Sequence, residues 1–158
     1  MNQITIRTAT LEDIEVLLTF EQGVIAAERP LTTSLKDTPI NYYDVKAFIV
    51  DPDVEIVVAV IDGKLIGSGY IRIMNAKNHF RNRKFGYLGF MYVLADYRGM
   101  GVNKKIMDVL IHWGTEQGLT EFKLNVYQEN ETAIRAYEKI GFKKHMIEMR
   151  MDLTERQS

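Results

Sequence analysis

The residues Tyr97-Arg98-Gly99-Met100-Gly101-Val102-Asn103 set two closely spaced glycines beside an arginine, where an apolar run from Tyr87 to Leu94 gives way to a helical pattern. In that pattern Val102, Ile106, Val109, Leu110 and Trp113 recur at i, i+4, i+7, i+8 and i+11, the spacing of one helix face. A glycine-bearing turn that opens a helix presents unpaired main-chain N–H groups, with the positive end of the helix dipole behind them. Such a turn suits a phosphate or pyrophosphate. Gly99 and Gly101 lack a Cβ, so the main chain can curl round an anion and approach it closely. Arg98 and Lys104 can add positive charge at its edge. A glycine pair between strand and helix is also what an ordinary connector looks like, so the anion reading needs a second feature.

Further along, the chain reads Leu124-Asn125-Val126-Tyr127-Gln128-Glu129-Asn130-Glu131-Thr132-Ala133, then Ile134-Arg135-Ala136-Tyr137-Glu138-Lys139-Ile140-Gly141-Phe142. The pairing of Tyr-Arg-Gly-x-Gly with Asn-x-x-Ala-x-x-x-Tyr-x-x-x-Gly-Phe resembles the GNAT superfamily of N-acetyltransferases. The motif-bearing likeness runs from about Gly86 to Lys143, and the rest of the chain is compatible in order and length. The resemblance implies a GNAT-like acyl-CoA N-acyltransferase fold and acetyl-CoA as cosubstrate. On it, main-chain N–H groups along Arg98, Gly99, Met100, Gly101, Val102, Asn103 and Lys104 would hold the pyrophosphate. The main chain of Met91, Tyr92 and Val93, with Asn130, would flank the pantetheine arm. In the family, that strand and the one spanning Lys123 to Tyr127 here splay apart, so a flexible ligand can pair with the sheet like an added strand. The side chains of Met91 and Val93 read as core. One departure stands out: the family ends its anion motif on Gly or Ala, and here Asn103 occupies that place.

The same resemblance makes Tyr137 the general acid. An amine that attacks a thioester expels a thiolate, which needs a proton; a tyrosine of ordinary pKa, about 10, is protonated at neutral pH and can donate. Tyr137 also stands three residues from both Ile134 and Ile140, the spacing of a buried aromatic. Many relatives place a glutamate base on the strand before the anion turn, but Tyr87 to Leu94 contains no carboxylate. Glu21 and Glu28, near the end of the first helix, are candidates for the acceptor end of the site, and each also reads as a surface charge. An ordered water is another route. The stretch from Glu28-Arg29-Pro30 to Tyr42-Tyr43-Asp44 mixes charges with aromatics: a carboxylate there would attract an amine, and Arg29 a carboxylate on the same molecule. The basic loop of Lys77, His79, Arg81, Arg83 and Lys84 reads as solvated, with the cosubstrate's 3′-phosphate or an acidic acceptor as its other possible contacts.

Composition narrows the class. At 158 residues, 46 % hydrophobic and 26 % charged, the chain is expected to fold as one domain over 1–158 with a real core. A net charge of −1 offers no reason to invoke nucleic acid or an anionic membrane. No apolar run approaches a membrane span. The absence of cysteine excludes disulfides, thiolate metal sites and a cysteine nucleophile, which favours direct transfer to the acceptor. His79, His112 and His145 lack ligand spacing, so no metal is expected. Met1 to Ala9 lacks the blocks of a secretory signal, so the cytoplasm is the expected compartment.

Elements follow from local pattern. Ile4 to Arg7 reads as a strand, and Thr10 with Asp13 caps a helix whose apolar face is Ile14, Leu17, Leu18, Val24 and Ile25. That helix should end near Arg29-Pro30. A short helix over Tyr43 to Val50 stops before Asp51-Pro52. Val54 to Ile61 and Lys64 to Met74 form a hairpin across Asp62-Gly63. A loop from Asn75 to Lys84, a strand over Phe85 to Leu94 and a helix to about Gln117 follow, with Gly118 as its stop. Glu121 to Tyr127 reads as a strand, Asn130 caps a helix ended by Gly141, and Phe142 to Leu153 reads as a last strand. The order implies an α/β fold with a mixed, mostly antiparallel central sheet flanked by helices. The expected function is transfer of acetyl from acetyl-CoA directly to a primary amine of a small, amino-acid-like molecule. A protein or peptide N-acetyltransferase and a non-catalytic acyl-CoA-binding module are the alternatives. A homodimer is compatible with the sequence.

Overall fold

Asp62 and Gly63 both take positive φ, 49° and 78°, as a two-residue hairpin turn of the mirror-image type requires. In the computed structural model, which describes residues 2–155, this turn joins β2 (Val54–Ile61) to β3 (Lys64–Asn75) with Ile61 opposite Lys64. β1 (Thr5–Thr8) pairs antiparallel with β2, and β4 (Lys84–Val93) antiparallel with β3. β5 (Phe122–Lys123) runs parallel to β4 and completes a sheet in the order β1-β2-β3-β4-β5. The mixed, mostly antiparallel sheet is the one expected. Met1 and residues 156–158, which the single-domain expectation includes, lie outside the described residues.

Helices cover both faces. α1 (Ile14–Glu28) and α2 (Val45–Val50) pack on one core, which holds Leu17, Phe20, Val24, Ile56, Val58 and Phe90. α3 (Val102–Glu116) closes the other, with Val57, Ala59, Ile71, Leu88, Ile106 and Leu110. α4 (Glu131–Ile140) sends Tyr137 and Ile140 against that second core. β2 therefore feeds both cores, Ile56 and Val58 on one side and Val57 and Ala59 on the other, by the two-residue period of a strand.

The caps explain the boundaries. Thr10 N–H donates to Asp13 Oδ2 at 2.8 Å, and a short 3₁₀ turn over Leu11–Asp13 leads into α1. Arg7 pairs with Asp13 at 2.8 Å and holds that carboxyl below its ordinary pKa. α3 ends with Gly118 N–H to Thr115 O and Leu119 N–H to Gly114 O. α4 ends likewise, Gly141 N–H to Glu138 O and Phe142 N–H to Tyr137 O. Both endings are Schellman motifs that need a glycine at positive φ, here 86° and 125°.

Five expectations are corrected. On α1 the buried stripe is Leu17, Phe20, Glu21, Val24 and Ile25, while Leu18 is exposed; the helical period carries Phe20 and Glu21 inward and turns Leu18 out. On α3 Met107 and Gly114 replace Val109, which is exposed, in the buried face. α2 begins at Val45 rather than Tyr43, because Asp44 accepts from Ala47 N–H as its cap while the main chain of Tyr42 and Tyr43 is held outside the helix. β5 spans two residues instead of Glu121 to Tyr127, and Phe142 to Leu153 forms no strand. The last segment keeps a strand-like alternation of Ile147, Met149, Met151 and Leu153, all exposed, but it has no ladder partner. Its local ties are Arg150 to Asp152 and Glu155, and Thr33 to Glu155.

Candidate active site

A bulge in β4 shapes the site. Ser68 lies opposite Tyr92 and Tyr70 opposite Gly89, so Gly69 of β3 faces two residues, Phe90 and Met91. Phe90 takes φ of 57°, a left-handed conformation for a buried aromatic. Its carbonyl accepts the Ser68 hydroxyl at 3.0 Å inside the core, which compensates the broken ladder. The extra residue inverts the alternation of the strand. Leu88 points to the α3 side, yet beyond the bulge Met91 and Val93 share that side, and Phe90 and Tyr92 face α1. Tyr92 stacks with Phe20 at 5.1 Å. Its ring lies so close to Gly23 that a Cβ there would fall 2.4 Å from it, which is how α1 comes to lie directly on β4.

β4 and β5 pair only at Gly86 with Phe122 and Tyr87 with Lys123. Beyond Tyr87 no ladder joins the two strands, which leaves a gap in the pairing beside Met91, Tyr92 and Val93. Val93 O accepts from Arg98 Nε at 2.9 Å, and the Arg98 guanidinium sits 5.9 Å from the Tyr92 ring. Arg98 thus ties the end of β4 to the turn that follows.

In that turn Gly99 and Gly101 both have φ of 78°, with open space where a Cβ would stand. Gly101 is the N-cap of α3 and no side chain caps the helix. Lys105 N–H returns to Gly101 O, but among the described residues the N–H groups from Gly99 to Lys104 donate to no main-chain acceptor. The result is a row of free donors at the positive end of a 15-residue helix. These residues fit a pyrophosphate: the donors are main-chain N–H groups without a main-chain acceptor, and open space stands where the glycines' Cβ atoms would be. Lys104 pairs with Asp108 at 2.7 Å on the exposed helix surface, so its charge is shared. Asn103 is half-buried in the first turn. We expect Asn103→Gly to bind acetyl-CoA as tightly as the parent or tighter by calorimetry, since the turn needs only its N–H; a large loss would assign the contact to the Asn side chain.

Asn130 caps α4, its Oδ1 accepting from Ala133 N–H at 3.3 Å. Tyr137 lies seven residues on, in edge contact with Phe142 at 6.2 Å. Burial, and after it the negative charge of Glu28 and then the neighbouring Tyr87, push its hydroxyl pKa up to about 12. The proton therefore stays on Tyr137 at neutral pH, as a donor requires.

Glu21 and Glu28, which the sequence offers both for the acceptor end and as surface charges, are drawn inward. Glu21 is fully buried and its Oε2 accepts Tyr42 N–H at 2.8 Å and Tyr43 N–H at 2.7 Å. Its Oε1 has no partner. Glu28, one face and two turns further along α1, is half-buried and its Oε1 accepts the Tyr42 hydroxyl at 2.8 Å. A signal for both was present: positions 21 and 28 continue the stripe of Leu17 and Val24, where a solvated charge does not belong. Glu21→Ala should lower stability by on the order of 3 kcal/mol, because two main-chain N–H groups lose a buried, charged acceptor. Glu21→Gln, which retains an acceptor oxygen, should lose much less in the same urea titration. Arg29 is drawn to the carbonyls of Lys36 at 2.7 Å and Thr38 at 3.2 Å, so its guanidinium braces the following loop. The basic Asn75–Lys84 loop lines a cavity of about 960 Å³ with Gln117–Thr120 at the far end of α3. The length of that helix, roughly 20 Å, separates the loop from the anion turn.

Comparison with known proteins agrees with this fold. Residues 23–142 match the model of the Acetyltransferase (GNAT) family. N-alpha-acetyltransferase 30 of Saccharomyces cerevisiae is 34 % identical over 64 residues, 40 % of this chain and 36 % of that protein. An uncharacterized N-acetyltransferase of Bacillus subtilis, YobR, is 34 % identical over 58 residues, 37 % of this chain and 24 % of that protein. The matched stretch thus spans about a third and a quarter of those relatives' lengths. Among solved structures, a mutant of the BH1408 protein of Bacillus halodurans superposes with a TM-score of 0.86 at 21 % identity, over 94 % of this chain and 99 % of that one. A predicted acetyltransferase from Clostridium acetobutylicum, solved with acetyl-CoA, gives 0.75 at 17 % identity over 99 % of this chain and 100 % of that one. An aminoglycoside N-acetyltransferase in complex with CoA gives 0.71 at 20 % identity over 94 % and 99 %. At these identities the superpositions show the fold, and the family match covers most of the chain. The chain belongs to the acetyltransferase (GNAT) family.

Proposed function

We propose that this acetyltransferase moves the acetyl group of acetyl-CoA directly to a primary amine of a small molecule. The observation that carries the reading is the row of free N–H groups from Gly99 to Lys104, opening beside the gap between β4 and β5. Pyrophosphate at the turn would send the pantetheine arm along Met91, Tyr92 and Val93, with Asn130 on the other side of the gap. Tyr137 would protonate the departing thiolate, and its raised pKa supports its being protonated when needed. The likeness to structures solved with acetyl-CoA and with CoA supports the cosubstrate. With Arg29 engaged by main-chain carbonyls, nothing in the loop marks the acceptor as carboxylate-bearing.

The local likeness to N-alpha-acetyltransferase 30 favours a second reading, in which the acceptor is the N-terminus of a peptide. An acceptor screen with acetyl-CoA, reading released thiol, tests both. Turnover with small primary amines supports the first reading, and turnover with peptides alone the second. Acetyl-CoA binding without thiol release on either set would make the protein a non-catalytic acyl-CoA-binding module.

A further inference from the structure

We propose that the cavity between the β3–β4 loop and the end of α3 is a second ligand site, for a nucleoside phosphate, separate from the acetyl-CoA site. Lys77, Arg83 and Lys84 line it. Arg81 belongs to the same loop, and the Lys123 ammonium lies 5.1 Å from the ring of Phe80, another lining residue. Against these five cations, residues 75–85 and 117–123 hold one carboxylate, Glu121. Among the described residues none of the five makes an ion pair. Glu121 is drawn instead toward Asn82 Nδ2, at 3.5 Å. The whole chain carries a net charge of −1, so this excess of positive charge is set against a net acidic remainder. Unpaired like charges gathered at one place repel one another, and a multiply charged anion relieves that repulsion.

The main chain holds this loop in shape without using those side chains. Ala76 N–H donates to Arg83 O at 2.8 Å, which extends the β3–β4 pairing by one step, and Phe80 N–H donates to Lys77 O at 3.0 Å, which closes a turn. On the other wall α3 ends, and a helix C-terminus presents carbonyls that repel an anion. Here Thr115 O and Gly114 O are taken by the N–H groups of Gly118 and Leu119, so that repulsion is reduced. Lys123 has found rings rather than a carboxylate: its ammonium also lies 4.3 Å from Phe85.

Three features point to a nucleoside phosphate rather than to phosphate alone. Phe80 is 45 % exposed and lies against the His79 ring at 4.4 Å, an aromatic platform of the kind on which a base stacks. Asn75, Asn78, Asn82 and Gln117 line the same cavity, and their amides both donate and accept, as the edge of a base requires. Its volume of about 960 Å³ is that of a small-molecule site. The arginine fork and the lysine ammoniums then serve the phosphates. A long nucleic acid is disfavoured, because the cations are gathered at one cavity and the rest of the chain is net acidic. The pyrophosphate of acetyl-CoA belongs at the opposite end of α3, roughly 20 Å away, so both ligands can be bound at once.

Calorimetry with ATP at low ionic strength, on the chain already saturated with CoA, tests the site. We expect one ATP per chain, bound more tightly than ADP and ADP more tightly than AMP. Replacing both Lys77→Ala and Arg83→Ala should weaken ATP by about tenfold or more, the worth of a charge-assisted contact, and leave acetyl-CoA affinity unchanged. Phe80→Ala should weaken ATP by about fivefold or more, the worth of one stacked base, and leave tripolyphosphate binding as it was. No ATP binding to the parent, or the same affinity in the doubly substituted chain, would overturn the site. ATP binding that CoA abolishes would move the nucleotide to the anion turn. Tripolyphosphate binding as tight as ATP, with no effect of Phe80→Ala, would reduce the site to phosphate alone and overturn the nucleoside. Tighter binding of a single-stranded oligouridylate than of ATP would overturn it in favour of an RNA surface. If the double variant fails a thermal-melt control, Lys77→Gln and Arg83→Gln are read singly, each expected to weaken ATP by about threefold or more; unchanged affinity in both would overturn the site.

Discussion

Tyr137→Phe should lower kcat by on the order of 10²–10⁴, the usual worth of a positioned general acid, while acetyl-CoA affinity stays at the parent value. The ring remains, so the edge contact with Phe142 and the packing on the α3-side core are kept. The removed hydroxyl is the one that burial and the Glu28 charge hold protonated. The anion turn is on another element and is untouched. Steady-state kinetics, calorimetry with acetyl-CoA and a thermal melt separate chemistry from binding and from folding. A folded variant with full kcat would return Tyr137 to the core and leave the thiolate to be protonated by solvent.

Gly101→Glu should abolish or greatly weaken acetyl-CoA binding. The side chain would leave the main chain into the open space over the turn and put a carboxylate in the anion's place, against the same N–H donors. Part of any effect comes from φ of 78°, which costs a non-glycine residue about 1–2 kcal/mol. Gly101→Ala shares that strain without the charge or the bulk. We therefore expect calorimetry to show a modest loss for Gly101→Ala and no measurable binding for Gly101→Glu. Equal affinities for the glutamate variant and the parent would remove the anion site from this turn.

Most of the fold was legible because its signals are local. Asp62-Gly63 states its own turn type, since two adjacent residues at positive φ admit few others. Thr10 with Asp13, Asn130, Gly118 and Gly141 mark helix ends through hydrogen bonds made within a few residues. The turn from Arg98 to Lys104 is of the same kind: two glycines before a helical pattern leave the same free donors wherever the rest of the chain goes. Periodicity was less reliable at its edges, as Leu18 and Val109 show, because a helix's exposure depends on what lies beneath it.

The sequence by itself determined the strand and helix order as far as α4, the hairpin, the glycine-opened helix and the place of Tyr137 on α4. Only the tertiary structure decided what those parts face. Phe90 has strand chemistry and nothing in its neighbours demands a left-handed φ; the bulge is accommodated across the sheet, where Gly69 leaves room for Met91 beside Ile106 and Ser68 donates to the Phe90 carbonyl. That bulge redirects Met91 to Val93, and the pairing of β4 with β5 ends at Tyr87 and Lys123; both arise from contacts across the sheet. Glu21 and Glu28 are ordinary helix residues by composition. They become a buried brace and a half-buried carboxylate on the Tyr42 hydroxyl because α1 lies on β4 at Gly23 and Tyr92, and because the loop before α2 returns over it. Contacts between residues far apart in sequence carry no local pattern, and they are what bring the Tyr42 main chain to Glu21 and its hydroxyl to Glu28.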